Sequence, residues 1–75
     1  MSQDDKAVEP LGTALPKEMA RVRDEIMPSY LEIGRAGAFA LAMMRHDLDR
    51  AAKAMAEGDV VEMLRAYTSL KEFTS

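Results

Sequence analysis

Residues 54–64, AMAEGDVVEML, contain the clearest local signal for the fold. Gly58 suits the left-handed position that follows a helix C-terminus, because it has no Cβ. Asp59 is a good helix N-cap, and Glu62, three residues later, can reach back to the Asp59 N–H in a capping box. The stretch therefore predicts one helix that ends before the glycine and another over 60–73. So short a connection makes the two helices close, antiparallel neighbours.

The preceding helix is expected over 36–57. Gly34 suits the end of an earlier helix, and Gly37 lies close to the new start. The alternative is one long helix over 28–57, because apolar or small residues recur in steps of three and four through this region. Two glycines inside a helix cost about 1 kcal/mol each relative to alanine. We therefore favour a break at the glycines.

An earlier helix is indicated by apolar residues at positions 15, 19, 22, 26, 30 and 33, which share one helical face. Pro16 suits its first turn, where the missing N–H has no partner to lose. Pro28 interrupts the pattern. Either one helix runs over 16–33 with a kink at Pro28, or a first helix ends near Met27 and a second begins at the proline. The apolar face continues through the proline, which favours the kink.

The composition predicts an all-α protein. Hydrophobic residues make up 48% of the 75 residues, but they are mainly Ala, Met and Leu, with two Phe, two Tyr and no Trp, and these aliphatics are strong helix formers. We predict a three-helix bundle in a single domain over 15–75. Residues 1–14 are polar and lack periodicity, so we expect a disordered, mildly acidic tail. A chain this short is only marginally stable alone, which makes a homodimer the default expectation.

Charge and hydropathy limit the expected partners and location. Ten Lys and Arg against thirteen Asp and Glu give a net charge of −3, which argues against nucleic acid, since polyanion binders carry a basic excess. Asp4 and Asp5 stand where an export signal would need positive charge. The apolar run over 36–44 is much shorter than the roughly 20 residues of a membrane span. We expect a cytoplasmic protein without membrane association.

Candidate catalytic or metal-binding side chains are few. The chain has no cysteine and a single histidine, His46, which argues against thiolate-bound zinc and His-rich metal sites. His46 and Asp49 can share a helix face, but two ligands do not make a metal site. Ser29, Thr68 and Ser69 have no histidine nearby in sequence to activate them. We therefore expect neither enzyme activity nor a cofactor.

The turn at Gly58 also fits part of a helix-turn-helix pattern, with Ala54 as the small residue and Leu64 as the buried aliphatic. However, Lys53 and Glu57 stand where that motif usually has buried residues. The following helix also offers little positive charge to phosphates. A plain helical hairpin explains the same residues, and a small DNA-binding transcriptional regulator is the alternative function.

A helical wheel of 36–57 separates two apolar faces. The first is expected to be buried and carries Gly37, Leu41, Met44, Leu48, Ala51, Ala52 and Met55. On the last helix the expected buried stripe is Val60, Met63, Leu64, Tyr67 and Leu70. Phe39 and Met43 lie away from the first face, in a sector that becomes polar one turn later. Either the first helix covers them within one chain, or a second chain does.

We predict that this second apolar area is a partner or dimer interface, because large exposed apolar patches rarely persist without a role. Its alanines also permit close backbone approach. The predicted interface comprises Phe39, Met43, Ala36 and Ala42, with Tyr30 and Ile33 at the edge and Arg35 and Arg45 as a charged rim. The expected function is that of a non-enzymatic protein-interaction module that binds and modulates or sequesters a partner protein.

The hairpin over 47–73, DLDRAAKAMAEGDVVEMLRAYTSLKEF, resembles one tetratricopeptide-type unit, but a single unit cannot form the repeat array. A short Ala-, Met- and Arg-rich chain with the segment GDVVEMLRAYTSLK also resembles uncharacterised small proteins of bacteriophages and prophages. This resemblance covers roughly residues 46–75. It implies an accessory protein that acts by binding host proteins, such as a phage-encoded modulator of a host regulator.

Overall fold

A computed structural model describes residues 9–74 of the chain. Within that range there are three helical units and no β-strand, which confirms the all-α prediction. The first unit, α1, covers 11–32 and consists of an α-helix over Leu11–Arg21, a π-helical turn over Val22–Ile26 and an α-helix over Met27–Glu32. A 3-10 turn over Gly34–Gly37 leads to α2, Ala38–Glu57, and then α3, Val60–Lys71.

The start of α1 at Leu11 corrects the predicted start at Pro16. Two N–H groups of the first turn donate to the Pro10 carbonyl at 2.9 and 2.8 Å. Residues 11–14, expected in the tail, are therefore helical, and residues 1–8 lie outside the described residues. The helix begins early because Leu11 packs against the core. Burial of this aliphatic side chain offsets the free-energy cost of the backbone hydrogen bond that Pro16 cannot donate inside the helix.

Pro28 distorts α1 without ending it. In the π-helical turn before it, the Met27 N–H donates to the Val22 carbonyl, five residues back. Pro28 then occupies the first turn of the next α-helical segment, where its missing N–H costs least. The wider turn also keeps the proline ring away from the preceding carbonyls. Of the two arrangements predicted for this region, the continuous helix is confirmed.

Gly34 and Gly37 separate α1 from α2, as predicted. Gly34 has φ +64°, a left-handed conformation that ends the helix after Ile33. At Gly37 a Cβ atom would collide with the backbone carbonyl of Tyr30, so the close approach of α1 and α2 requires glycine. The long-helix alternative is wrong, because a residue at positive φ cannot continue a right-handed helix.

The α2–α3 connection follows the predicted turn with one difference. Gly58 has φ +67°, and the Asp59 N–H donates to the Ala54 carbonyl at 2.9 Å, which is the long-range hydrogen bond of a Schellman motif. The Asp59 carboxylate accepts from the Glu62 N–H at 3.1 Å. The reverse half of the capping box does not form, because the Glu62 side chain accepts from Arg50 Nε of α2 at 2.7 Å.

The core is small and draws on all three helices. Its buried apolar residues are Leu15, Val22, Ile26, Leu41, Met44, Ala51, Ala54, Met63, Ala66 and Leu70. Three of them are alanines, which lie on α2 and α3 and each bury little apolar surface. Residues 9–74 contain no helix that is both long and apolar enough to cross a bilayer.

Four residues predicted to be buried are exposed, namely Ala52, Met55, Val60 and Leu64. On α3 the buried stripe is Met63, Ala66 and Leu70, and Val60 and Leu64 are 65% and 55% exposed. On α2 and α3, the positions next to the buried stripe are also occupied by apolar or small residues. The periodicity of the sequence therefore does not determine the rotation of each helix about its axis to better than about one residue. Packing between α2 and α3 selects the stripe.

Candidate partner-binding surface

Phe39 and Met43 are left uncovered by the rest of the described chain. Phe39 is 78% exposed and Met43 is 42% exposed, and the neighbouring alanines at 36 and 42 are exposed as well. Burial of the pair under α1, one of the two arrangements considered above, is excluded by this exposure. We refer to Ala36, Phe39, Ala42 and Met43 as the apolar shelf.

The shelf is exposed because α2 is longer than the helix that packs beside it. α2 has 20 residues and α3 has 12, a difference of about 12 Å at about 1.5 Å per residue. The helices run antiparallel from the turn at Gly58, so the excess lies at the N-terminal end of α2. After α3 the chain bends toward α1, where Tyr30 Oη donates to the Thr74 carbonyl at 2.8 Å. The first two turns of α2 thus project beyond α3.

Met43 lies on the face of α2 that contacts α3 further along. At 100° per residue, Met43, Asp47 and Arg50 fall within one sector of about 60° of the helix. Asp47 accepts a hydrogen bond from Ser69 Oγ, and Arg50 Nη2 is 2.6 Å from a carboxylate oxygen of Glu62. Met43 therefore continues the α2–α3 interface past the point where α3 stops, whereas Phe39 lies about 80° from Asp47 around the helix.

The predicted edge and rim residues border the shelf in sequence, and most of them are exposed. Ile33, Arg35 and Arg45 are exposed, and Tyr30 is half-buried. Neither Arg35 nor Arg45 forms a salt bridge among residues 9–74. The other four arginines each pair with a carboxylate there, namely Arg21, Arg23, Arg50 and Arg65.

Arg21 holds the C-terminal end of α3 in place. Its Nη2 donates to the backbone carbonyls of Leu70 at 3.1 Å and Phe73 at 3.0 Å. A hydrogen bond to the Glu18 carboxylate raises the pKa of Arg21 above its usual value. The guanidinium thus stays charged at the C-terminal end of α3, where cations are favourable, and it adds a second donor to the Leu70 carbonyl, which also accepts from the Phe73 N–H at 3.1 Å. This contact ties the C-terminal end of α3 to α1.

The sequence reasoning missed a buried carboxylate, Asp47. It is 2% exposed, accepts from Ser69 Oγ, and lies 3.6 Å from Arg50 Nη1. Arg50 in turn binds Glu62, so the network joins α2 to α3. The spacing of 47 and 50 on one helix and of 62 and 69 on the next was the available signal. The Ser69 hydroxyl, considered above as a nucleophile, donates to this carboxylate and helps to connect the two helices.

His46 and Asp49 are both exposed on α2. Within residues 9–74 no group of three or more His, Cys, Asp or Glu side chains is arranged to hold a metal ion. A second exposed apolar area, which we call the outer strip, lies on α3 and consists of Val60, Val61 and Leu64.

Comparison of the chain with protein-family models, with curated proteins and with solved structures gives no match.

Proposed function

We propose that this protein is a small, non-enzymatic helical interaction module that binds a partner protein through the apolar shelf and modulates or sequesters it. The observation that carries the proposal is the 78% exposure of Phe39 beside Met43. Burial of one such side chain contributes about 2 kcal/mol. Both residues are held on a helix, so binding would order few additional groups.

The core is small, so the folded chain would gain stability if association buried its exposed apolar surface. A core in which three of ten buried apolar residues are alanines provides little hydrophobic stabilisation in a chain of this size. We therefore also propose that the chain pairs with a second copy. Two surfaces are available for pairing, the apolar shelf and the outer strip.

The resemblance of residues 46–75 to small phage and prophage proteins suggests that the partner is a host regulatory protein in the cytoplasm. The DNA-binding alternative has less support. The outward face of α3, which would enter a groove, carries the apolar outer strip, and Arg65 lies 3.8 Å from Glu62. Base-reading helices instead present polar and basic side chains to DNA.

The test is affinity capture from a lysate of the native host with the full chain and two variants. Phe39→Asp places a charge on the shelf, and Val61→Asp is the matched control, since Val61 is an exposed apolar residue on another helix. We expect a host protein to be retained by the wild type and by Val61→Asp but not by Phe39→Asp. Retention of the same proteins by all three chains would refute shelf-mediated binding.

Self-association is measured separately by light scattering of the same three chains. A wild-type monomer at tens of micromolar would contradict pairing. A dimer that Phe39→Asp dissociates would assign the dimer interface to the shelf. A dimer that only Val61→Asp dissociates would assign it to the outer strip.

A further inference from the structure

We infer that two copies of this chain pair through the outward face of α2, with their α2 helices antiparallel and with Arg45 of each copy bound to Asp49 of the other. The inference rests on the pairing proposed above and names its surface and the orientation of the copies. Three observations support it: opposite charges at the middle of this face, the symmetry of the residues around them, and the exposure of Phe39 beside them.

The outward face of α2 is uncovered by the rest of residues 9–74. Six exposed residues follow one another along it in steps of four and three, and at 100° per residue they fall within one sector of about 80°. The buried residues of α2 lie on the other side of the helix. Such spacing is typical of a seam along which one helix packs on another. We call these six residues the outward seam: Ala38, Ala42, Arg45, Asp49, Ala52 and Ala56.

Two opposite charges lie at the middle of the outward seam. Neither Arg45 nor Asp49 forms a salt bridge within residues 9–74. In a parallel pair each would face its own counterpart, and like charges disfavour association. In an antiparallel pair whose two-fold axis passes at the level of Asp47, each Arg45 faces Asp49 of the second copy, and two charge-assisted contacts form. The charges therefore select the antiparallel orientation.

The charged residues of this face do not oppose pairing. The exposed charged side chains of α2 are two basic and two acidic, so the net charge of the face is 2 − 2 = 0 with His46 neutral. They are Arg45, Lys53, Asp49 and Glu57. Two copies can therefore approach face to face without net repulsion.

The alanines of the seam are symmetric about the same point. Ala38 and Ala56 lie at equal distances before and after residue 47, and so do Ala42 and Ala52. An antiparallel pair thus places alanine against alanine wherever Arg45 does not face Asp49. A two-fold contact requires this correspondence, because residue i meets residue j while residue j meets residue i. A shift by one heptad would place each charge opposite an alanine, so the ion pairs also fix the register.

Pairing along the seam also covers Phe39, which is 78% exposed. Alanine side chains permit interaxial distances of about 8 Å. Phe39 lies about 100° from the middle of the seam, on the side that carries Lys53. In the antiparallel register it comes within about 3 Å of the level of Lys53 of the second copy, whose aliphatic stem and ammonium group can pack on the ring. A partner that binds Phe39 on the shelf would therefore displace the second copy.

The test exchanges the two seam charges and measures self-association by light scattering. Arg45→Asp places a carboxylate opposite Asp49, and Asp49→Arg places a guanidinium opposite Arg45. Each single variant should therefore raise the dimer dissociation constant at least about tenfold. The double variant Arg45→Asp/Asp49→Arg should recover the wild-type dimer, because opposite charges again face each other. An equimolar mixture of the two single variants should form a heterodimer for the same reason, which native mass spectrometry detects by its mass.

Matched controls place the same charge changes outside the seam. Arg23 and Asp24 form an exposed ion pair on α1, with side chains 60% and 61% exposed. Arg23→Asp and Asp24→Arg should each leave the dimer dissociation constant unchanged, and their mixture should show no preference for the heterodimer. Far-UV circular dichroism of every variant should match the wild type, which shows that dissociation does not result from unfolding.

Several outcomes would overturn the inference. They are a wild-type monomer at concentrations on the order of tens of micromolar, a dimer that neither seam variant weakens, and a weakened dimer that neither the double variant nor the mixture restores. A dimer that only Val61→Asp dissociates would assign pairing to the outer strip instead. If charge-dependent pairing is found while capture from lysate fails, the antiparallel pair stands and only the proposed binding of a host protein falls.

Discussion

Replacing Phe39 by alanine should leave the stability of the folded chain nearly unchanged. The side chain buries only 100 − 78 = 22% of its surface. Full burial of such a side chain contributes about 1.5–3 kcal/mol, so the part buried here accounts for about 0.5 kcal/mol. Alanine is the better helix former by about 0.5 kcal/mol. The two effects offset each other.

Leu41, two residues further along the same helix, is the matched comparison. It is 5% exposed, and truncation of a buried leucine costs about 2–5 kcal/mol through lost burial and the cavity left behind. Because a domain of this size is marginally stable, Leu41→Ala should remove a large part of its free energy of unfolding. The two substitutions therefore separate a surface side chain from a core one within a single turn.

The assay is urea unfolding followed by far-UV circular dichroism, at two protein concentrations. The second concentration matters because, if Phe39 lies in a homodimer interface, the decrease in the free energy of unfolding caused by Phe39→Ala would be larger at the higher protein concentration. A loss above about 2 kcal/mol for Phe39→Ala at the lower concentration would show that Phe39 is packed within a single chain. That result would refute the exposed shelf.

Four further substitutions test the contacts that hold the helices together, each by urea unfolding. Gly37→Ala should destabilise the chain by about 1–3 kcal/mol, because its Cβ would collide with the Tyr30 carbonyl; a gain in stability would contradict the close approach of α1 and α2. Asp47→Ala should cost about 2 kcal/mol, and its effect should be non-additive with Ser69→Ala because the two side chains share a hydrogen bond; strict additivity would show that they do not interact. Arg21→Ala should cost about 1–3 kcal/mol through two lost hydrogen bonds to carbonyls at the end of α3, and no change would mean that water replaces the guanidinium there.

Much of the helix layout could be predicted because it depends on local backbone chemistry. Gly34 and Gly58 adopt the left-handed conformation that glycine tolerates, and Asp59 caps α3 through the Glu62 N–H. These effects act over a few residues and do not depend on the rest of the chain. The start of α1 at Leu11 was missed because it depends on a distant contact, the packing of Leu11 on the core.

The candidate surface was predicted only in part, for a related reason. The sequence indicated which residues form this surface, because Phe39 and Met43 are apolar in a sector of α2 that becomes polar one turn later. The sequence did not determine whether α1 covers them. A helical wheel identifies the apolar face of one helix but carries no information about how far the neighbouring helices extend. The Asp47 network was missed for the same reason, since it depends on which face of α2 meets Ser69.

The sequence by itself determined the helical class, the break at Gly34 and Gly37, and the hairpin turn at Gly58, because each follows from the conformational preferences of a few adjacent residues. Only the tertiary structure decided that Phe39 remains exposed. That outcome depends on the difference in length between α2 and α3, which leaves the N-terminal turns of α2 beyond the end of α3. The exposure of a side chain depends on the distances to neighbouring helices. The apolar pattern of a single helix carries no information about those distances.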